Sequence, residues 1–395
     1  MNAEYLSTIE TIRQFFKITP EKGLTKDTRM LLESMEDVSI PDGQDIVTFG
    51  ADSRDGMYII LEGTAVVLSG DGAVINMLGS GDFIGELALI NDDTRSATVR
   101  AKGAVRCANI SKALFEELAQ RNRHIYGLFM NMLYYKTTRL VTEQVRIKTD
   151  LEIATRIQTG FLEDDFSLFN TTPYFSVGAR MQPAREVGGD FYDFFWIDET
   201  HLCFLIADVS GKGVSAALYT MLGKTHLKNY AALGLPLSEV VSRANDQLCY
   251  KNTSDMFVTA FVCVIDTQTD EVTFVNAGHN APFVLRRDGQ FEMLKCRANL
   301  VLGCMEGVPY REQKLTLLPG EAIYLYTDGV TEAANPQEEL LGNDRCCDAL
   351  NRHIELCDRP MELIDAMYRE VEDFAAGAEQ ADDITMVLLS RYGHE

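Results

Sequence analysis

Two apolar stretches, residues 201–206 and 322–327, each run into an aspartate, Asp208 and Asp328, that is followed by small residues or glycine. Such a run predicts a buried strand, and glycine beyond it lets the backbone turn tightly and present the carboxylate at the strand's tip. Two more aspartates have comparable settings: Asp190 after Gly188 and Gly189, and Asp382 in Asp382-Asp383-Ile384-Thr385. No His or Cys lies near them at ligand spacing, so the donors are oxygens, an inventory suited to Mg²⁺ or Mn²⁺ rather than zinc. Two such ions held close together can activate a water toward a phosphoryl group. Any one of these aspartates alone would be an ordinary turn residue. Four in order, with strands leading into two of them, form a pattern.

Taken with Asn276-Ala277-Gly278-His279-Asn280-Ala281-Pro282, the motifs spread over residues 174–390 resemble the PPM family of metal-dependent serine/threonine phosphatases, in its bacterial SpoIIE/RsbU branch. The resemblance implies a two-sheet sandwich flanked by helices. It implies that Asp208 bridges two Mn²⁺ or Mg²⁺ ions and that the Val209 carbonyl completes one shell. Asp328 and Asp382 would hold one ion, and Asp190 the other, partly through water. Asp193 and Asp383 are expected to support ligands or turns, and His279 to contact substrate or support the ligands. Arg185 is expected to be a solvated surface residue, with contact to the substrate phosphate as the alternative. Gly188-Gly189-Asp190-Phe191 also resembles the cyclic-dinucleotide cyclase signature, but the second acidic residue of that signature is absent. The cyclase reading would also leave the other three motifs unexplained.

A second module precedes this one. Residues 56–63 and 64–69 are expected as short alternating strands around turns, with Gly70-Asp71-Gly72 as a hairpin loop. Evenly spaced short strands predict a small barrel or roll. Gly85-Glu86-Leu87-Ala88, then Arg95-Ser96, resemble the phosphate-binding cassette of cyclic-nucleotide-binding domains of the cyclic-AMP-receptor and kinase-regulatory-subunit type. A glycine-flanked turn opening into a helical stretch offers free N–H groups to a phosphate, and an arginine offers a planar fork of donors. The resemblance implies Gly85, Glu86, Leu87, Ala88, Arg95 and Ser96 as contacts to cAMP or cGMP, with Glu86 accepting from the ribose hydroxyl. Asp92 and Asp93 add negative charge beside that site.

Between the modules, residues 112–162 contain no proline, and apolar residues recur at three- and four-residue steps. One long or twice-broken helix is expected, amphipathic enough to pair with a second copy of itself. The expected fold is α+β: an N-terminal helix over 1–28, a cyclic-nucleotide-binding-like β-roll over 29–120, a helical connector over 121–168 and a PPM-type sandwich over 169–395.

A formal net charge of −23 disfavours binding to nucleic acid or anionic membrane, both polyanions. Nine scattered cysteines without Cys-x-x-Cys spacing suggest a reducing compartment. No signal-like N-terminus or membrane-length apolar run is seen. These features predict a cytoplasmic protein. The expected activity is metal-dependent hydrolysis of phosphoserine or phosphothreonine on a protein, under cyclic-nucleotide control. By family analogy the substrate is a phosphorylated STAS-type anti-anti-sigma regulator. The alternatives are a pseudophosphatase scaffold that docks partners and a nucleotide-responsive transcription factor; no basic recognition helix supports the latter.

Overall fold

The structure, a computed structural model, describes every residue except 22, 70–71, 91–93, 170–174, 288 and 392–395. The motif positions Gly70, Asp71, Asp92, Asp93 and Asp288 lie outside the described residues. The chain divides into two compact units, Met1–Arg146 and Ile147–Glu395.

In the first unit the strand Met57–Leu68 pairs antiparallel with Thr98–Ile110 and Val74–Leu78, and shorter strands complete a six-stranded roll. Ile60, Ala65, Val99, Val105 and Cys107 fill the roll interior. Met57, Ile59 and Leu61, on the opposite parity of the same strand, pack against the helices with Leu32, Phe115 and Phe129. Two separate strands over 56–69 were expected, yet one strand runs through Gly63. There the register slips on both sides of Glu62, and a Cβ on Gly63, at φ +93°, would meet the Ala104 carbonyl at 2.4 Å. The glycine makes a bulge, not a turn. Three short helices, Ala3–Leu6, Glu10–Phe15 and Lys26–Glu33, stand where one N-terminal helix was expected.

The connector breaks once. Helix Lys112–Arg121 ends at Asn122, whose extended backbone stops it. The Asn122 side chain accepts from His124 N–H at 3.0 Å and so starts the next helix. That helix, His124–Thr159, runs for 36 residues. Ile125, Phe129 and Met132 bury themselves in the first unit, whereas Leu140, Val141, Val145, Ile153 and Ile157 stay exposed.

The second unit is a sandwich of two five-stranded antiparallel sheets. The first has the order Gln313–Thr316, Glu271–Ala277, Val258–Asp266, His201–Val209, Asp190–Trp196. The other has the order Phe291–Met293, Phe283–Leu285, Ala322–Tyr326, Ile384–Arg391, Phe175–Gln182. Strand alternation assigns every side chain to a layer. Phe194, Phe204, Ile206, Phe261, Ile323, Leu325, Val387 and Leu389 meet between the sheets. Phe191, Leu205, Ala207 and Val262 face the helices Val214–Ala231 and Leu237–Cys249. Tyr324, Met386 and Leu388 face Gly342–Arg352 and Pro360–Ala375 on the opposite side. The architecture is the expected α+β one; helix Gly342–Arg352 is an addition that the sequence reading did not foresee. Among the described residues no helix is long and apolar enough to cross a membrane.

Alternation also separates Asp193 from Asp190. Asp193 lies on the helix-facing parity, buried, with Lys224 Nζ at 2.8 Å and Lys228 Nζ at 3.2 Å. It is a structural ion pair under the helix Val214–Ala231. Because removing both cations strands a buried charge, Lys224→Met/Lys228→Met should cost about 3 kcal/mol in urea unfolding, and adding Asp193→Asn should recover most of that loss. Equal stability of both variants would contradict this account.

Candidate functional site

The rim of the sandwich collects the aspartates. Asp190 and Asp208 are cross-strand partners in the first sheet. Both share the parity of the residues that point between the sheets, Phe194 on one strand and Phe204 and Ile206 on the other. Asp328 begins the short helix Asp328–Thr331, one residue beyond the strand Ala322–Tyr326 and Thr327. Asp382 and Asp383 immediately precede the neighbouring strand Ile384–Arg391. The carboxylates thus arrive from both sheets.

Their charges feel one another. Asp190 is 2% exposed, and burial, followed by the Asp208 charge, holds its carboxyl well above the usual range. Burial and then the charges of Asp328, Asp382 and Asp383 push Asp208 up to about 7. Burial, then Glu332 and Asp382, raise Asp328.

Neutral donors and one cation share this load. Asp190 Oδ2 accepts from Thr327 Oγ1 at 2.7 Å and Thr385 Oγ1 at 2.6 Å. Both threonines sit on the inward parity of their strands, a signal visible in the alternation yet missed in the sequence reading. Lys212 Nζ lies 3.0 Å from Asp382 Oδ2. Among the described residues no three His, Cys, Asp or Glu side chains close around a common point as a finished metal cage. Asp190 and Asp382 are instead turned toward these donors. The residues nevertheless fit a divalent cation: buried, mutually repelling, oxygen-only groups gain most from one.

Asp383 has a different task. Its carboxylate accepts from the N–H groups of Ala184 at 2.7 Å, Gly189 at 2.5 Å and Asp190 at 3.3 Å. It therefore ties the second sheet to the loop that carries Asp190. Close packing makes one glycine necessary here and another tight. A Cβ on Gly329 would lie 2.0 Å from the Asp383 carbonyl, and one on Gly189 would lie 3.0 Å from the Val209 carbonyl. Val209 itself is buried, its N–H donating to Gly189 O at 3.2 Å.

His279 is a buried link. Its Nε2 donates to the Tyr326 carbonyl at 3.1 Å, which leaves Nδ1 to accept from Thr259 Oγ1 at 2.8 Å. Burial pushes its pKa down to about 4, so it is neutral and joins the two sheets next to Asp208 and Asp328. Arg185 is exposed, on the loop that leads to Asp190. Gln158, in the last turn of the connector helix, was also missed: its Nε2 donates to Gly188 O at 2.6 Å and its Oε1 accepts from Gly188 N–H at 3.0 Å. No periodicity flags such a residue, because its partner is a loop backbone.

In the first unit, Gly85 at φ +70° opens the turn Glu86–Leu89. A Cβ there would lie 1.9 Å from Arg95 Nη1, so only glycine admits the guanidinium. Arg95 lies in the loop ahead of strand Thr98–Ile110. It is 5% exposed and donates to the Asp55 carboxylate and, at 2.6 Å, to Gly56 O. Its Nε has no hydrogen-bond partner among the described residues. An incompletely satisfied buried guanidinium fits an anion. Glu86 accepts from Lys136 Nζ of the connector helix at 2.7 Å. Ala88 is buried, while Leu87 and Ser96 are exposed.

Comparison with known proteins agrees with this division. Residues 198–392 match the family described as Stage II sporulation protein E (SpoIIE), and residues 37–122 match the cyclic nucleotide-binding domain. The two matched segments coincide with the two modules, one similar to cyclic nucleotide-binding domains and the other to SpoIIE. It is 28% identical over 325 residues to Protein IcfG of Synechocystis sp., covering 74% of this chain and 50% of that protein. The chain thus spans half the length of that relative. It is 29% identical over 266 residues to Phosphoserine phosphatase RsbU of Bacillus subtilis, covering 66% of this chain and 75% of RsbU. The SiaA-PP2C domain of Pseudomonas aeruginosa shares the fold, with TM-score 0.55, 24% identity, and coverage of 64% of this chain and 99% of that domain.

Two outcomes follow for the rim. Asp383→Ala should weaken Mn²⁺ binding by about 10–100-fold through loss of loop positioning, as measured by calorimetry. Proton release should also mark binding. Asp208, raised to about 7, holds a proton below that pH, so Mn²⁺ must displace it there and affinity should climb as pH rises through 7. Calorimetry in buffers of differing ionisation enthalpy, below and above pH 7, reads this directly; pH-independent binding would contradict it.

Proposed function

We propose that the chain is a signalling phosphatase that hydrolyses phosphoserine or phosphothreonine on a protein, with its rate set by a cyclic nucleotide. One observation carries the reading: carboxylates from both sheets converge on one rim, where burial and mutual repulsion call for cations.

Asp190, Asp208, Asp328, Asp382 and the Val209 carbonyl would hold two Mn²⁺ or Mg²⁺ ions. When bound, such ions neutralise phosphate charge and make a water acidic enough to attack. The chain's own residues do the positioning. Thr327 and Thr385 fix the free oxygen of Asp190. Asp383 holds the Asp190 loop, and Lys212 steadies Asp382. His279, neutral and buried, keeps the two sheets in register beside the centre. RsbU is named a phosphoserine phosphatase; that likeness supports the phosphoester class and, by family analogy, a STAS-type anti-anti-sigma substrate.

In the first unit, Gly85, Glu86, Leu87, Ala88, Arg95 and Ser96 would receive cAMP or cGMP. A nucleotide would compete with Asp55 for Arg95 and with Lys136 for Glu86, and so would loosen the connector helix from the cassette. The exposed apolar residues of that helix between Leu140 and Ile157 support pairing with a second copy. The acidic charge supports a cytoplasmic protein that avoids nucleic acid and membranes.

The test is p-nitrophenyl phosphate hydrolysis by the full chain with Mn²⁺ or EDTA, with and without cAMP and cGMP. Turnover should require metal and vanish in Asp208→Asn and Asp328→Asn with the fold retained. Activity near wild type in either variant would remove the two-metal reading. Absence of turnover on both this ester and phosphoserine peptides would favour a docking scaffold. Arg95→Ala should abolish the nucleotide response and keep metal-dependent turnover; a persisting response would overturn the cassette assignment.

A further inference from the structure

In the second unit a cavity of about 440 Å³ adjoins the carboxylate rim and shares Gly329 and Asp382 with it. The C-terminal half of helix Pro360–Ala375, the loop at 377–382 and the exit of helix Asp328–Thr331 enclose it. That volume is typical of a ligand pocket. The space exists because the surrounding segments are built from small residues, among them Ala333, Ala334, Ala375, Ala378 and Ala381. Tyr368, Val371 and Ile384 supply an apolar floor.

The charge at its mouth has one sign. Glu332, Glu372 and Glu379 line the cavity and are exposed. The one cation in the lining is Lys212, and it is already engaged by Asp382 and the Ala381 carbonyl. An apolar floor beneath free carboxylates matches a side chain with an aliphatic stem and a cationic head. An acidic residue would meet repulsion there, and a short apolar one would leave the glutamates without a partner. Since the cavity adjoins Asp382, its occupant lies beside the phosphoester that the carboxylate rim receives.

We propose that this cavity is a specificity pocket that seats an arginine or lysine flanking the phosphorylated residue of the substrate protein. The inference rests on the phosphatase reading above. Glu372 and Glu379 take the cationic head, and the Val371, Ala375 and Ile384 surface takes the stem.

The experiment uses the full chain with Mn²⁺ and a set of phosphoserine peptides that carry a single arginine at each flanking position in turn, against an all-alanine flank. In the wild type, arginine at one position should raise kcat/KM by about tenfold over alanine. Within Glu372→Lys/Glu379→Lys that ratio should fall to about one or invert. Ala375→Phe, which fills the space and leaves the glutamates in place, should lower it too. Because each ratio is internal to one variant, a general loss of activity does not mimic the effect. No positional preference in the wild type, or one that survives both variants, would overturn the pocket. Fluorescence anisotropy with phosphonate versions of the same peptides separates the two ideas. Charge-sensitive binding without turnover would leave the pocket standing and remove the phosphatase reading. Turnover without selectivity would do the reverse.

Discussion

The repulsion between carboxylates gathered at a half-dry rim is the constraint around which the second unit is organised. Like charges that are poorly solvated separate or take up protons unless something fixes them. Here the fixing is done by backbone. Antiparallel pairing holds Asp190 opposite Asp208, and the helix start and strand start place Asp328 and Asp382 from the second sheet. The arrangement is unfavourable by itself; under the proposed function bound cations would relieve it, and metal affinity and fold would then be linked.

The supporting hydrogen bonds explain why the rim survives this strain. Asp383 binds three backbone N–H groups of one loop, and Thr327 and Thr385 bind one carboxylate oxygen. His279 spans from Thr259 to the Tyr326 carbonyl. The Thr327, Thr385 and His279 contacts cross between the sheets, so the two halves of the centre cannot drift apart without losing buried hydrogen bonds. Gly329 matters for the same reason: a methyl group there would collide with the Asp383 carbonyl.

The first unit repeats the theme with the sign reversed. Arg95 is a buried cation held by Asp55 and by the Gly56 and Gly85 carbonyls, with Nε left without a partner among the described residues. Glu86 is committed to Lys136. Both groups therefore make internal contacts that an anionic ligand would have to replace, and one of those contacts reaches the connector helix. Gln158, toward the far end of that helix, grips Gly188 two residues before Asp190. Within its own unit, each of these two helix residues holds one loop, Lys136 the cassette residue Glu86 and Gln158 the approach to Asp190.

Much of this was legible in the order of residues. Strand-tip aspartates followed by glycine, the absence of nitrogen and sulfur donors, and the glycine-flanked turn before Arg95 are local features, and local chemistry dictates them. The α+β character and the two-module division are likewise carried by periodicity. Which member of each aspartate pair faces the centre was decided only by packing. Asp190 and Asp193 fall on opposite faces of one strand by alternation, but it is the second sheet on one side and Lys224 on the other that makes one a rim carboxylate and the other a buried ion pair. The roles of Asp383, His279 and Gln158 depend on partners far away in sequence, and the bulge at Gly63 depends on the neighbouring strand. Sequence sets what each residue can do; the partner it meets, and so what it does, is fixed only when distant segments exclude water together.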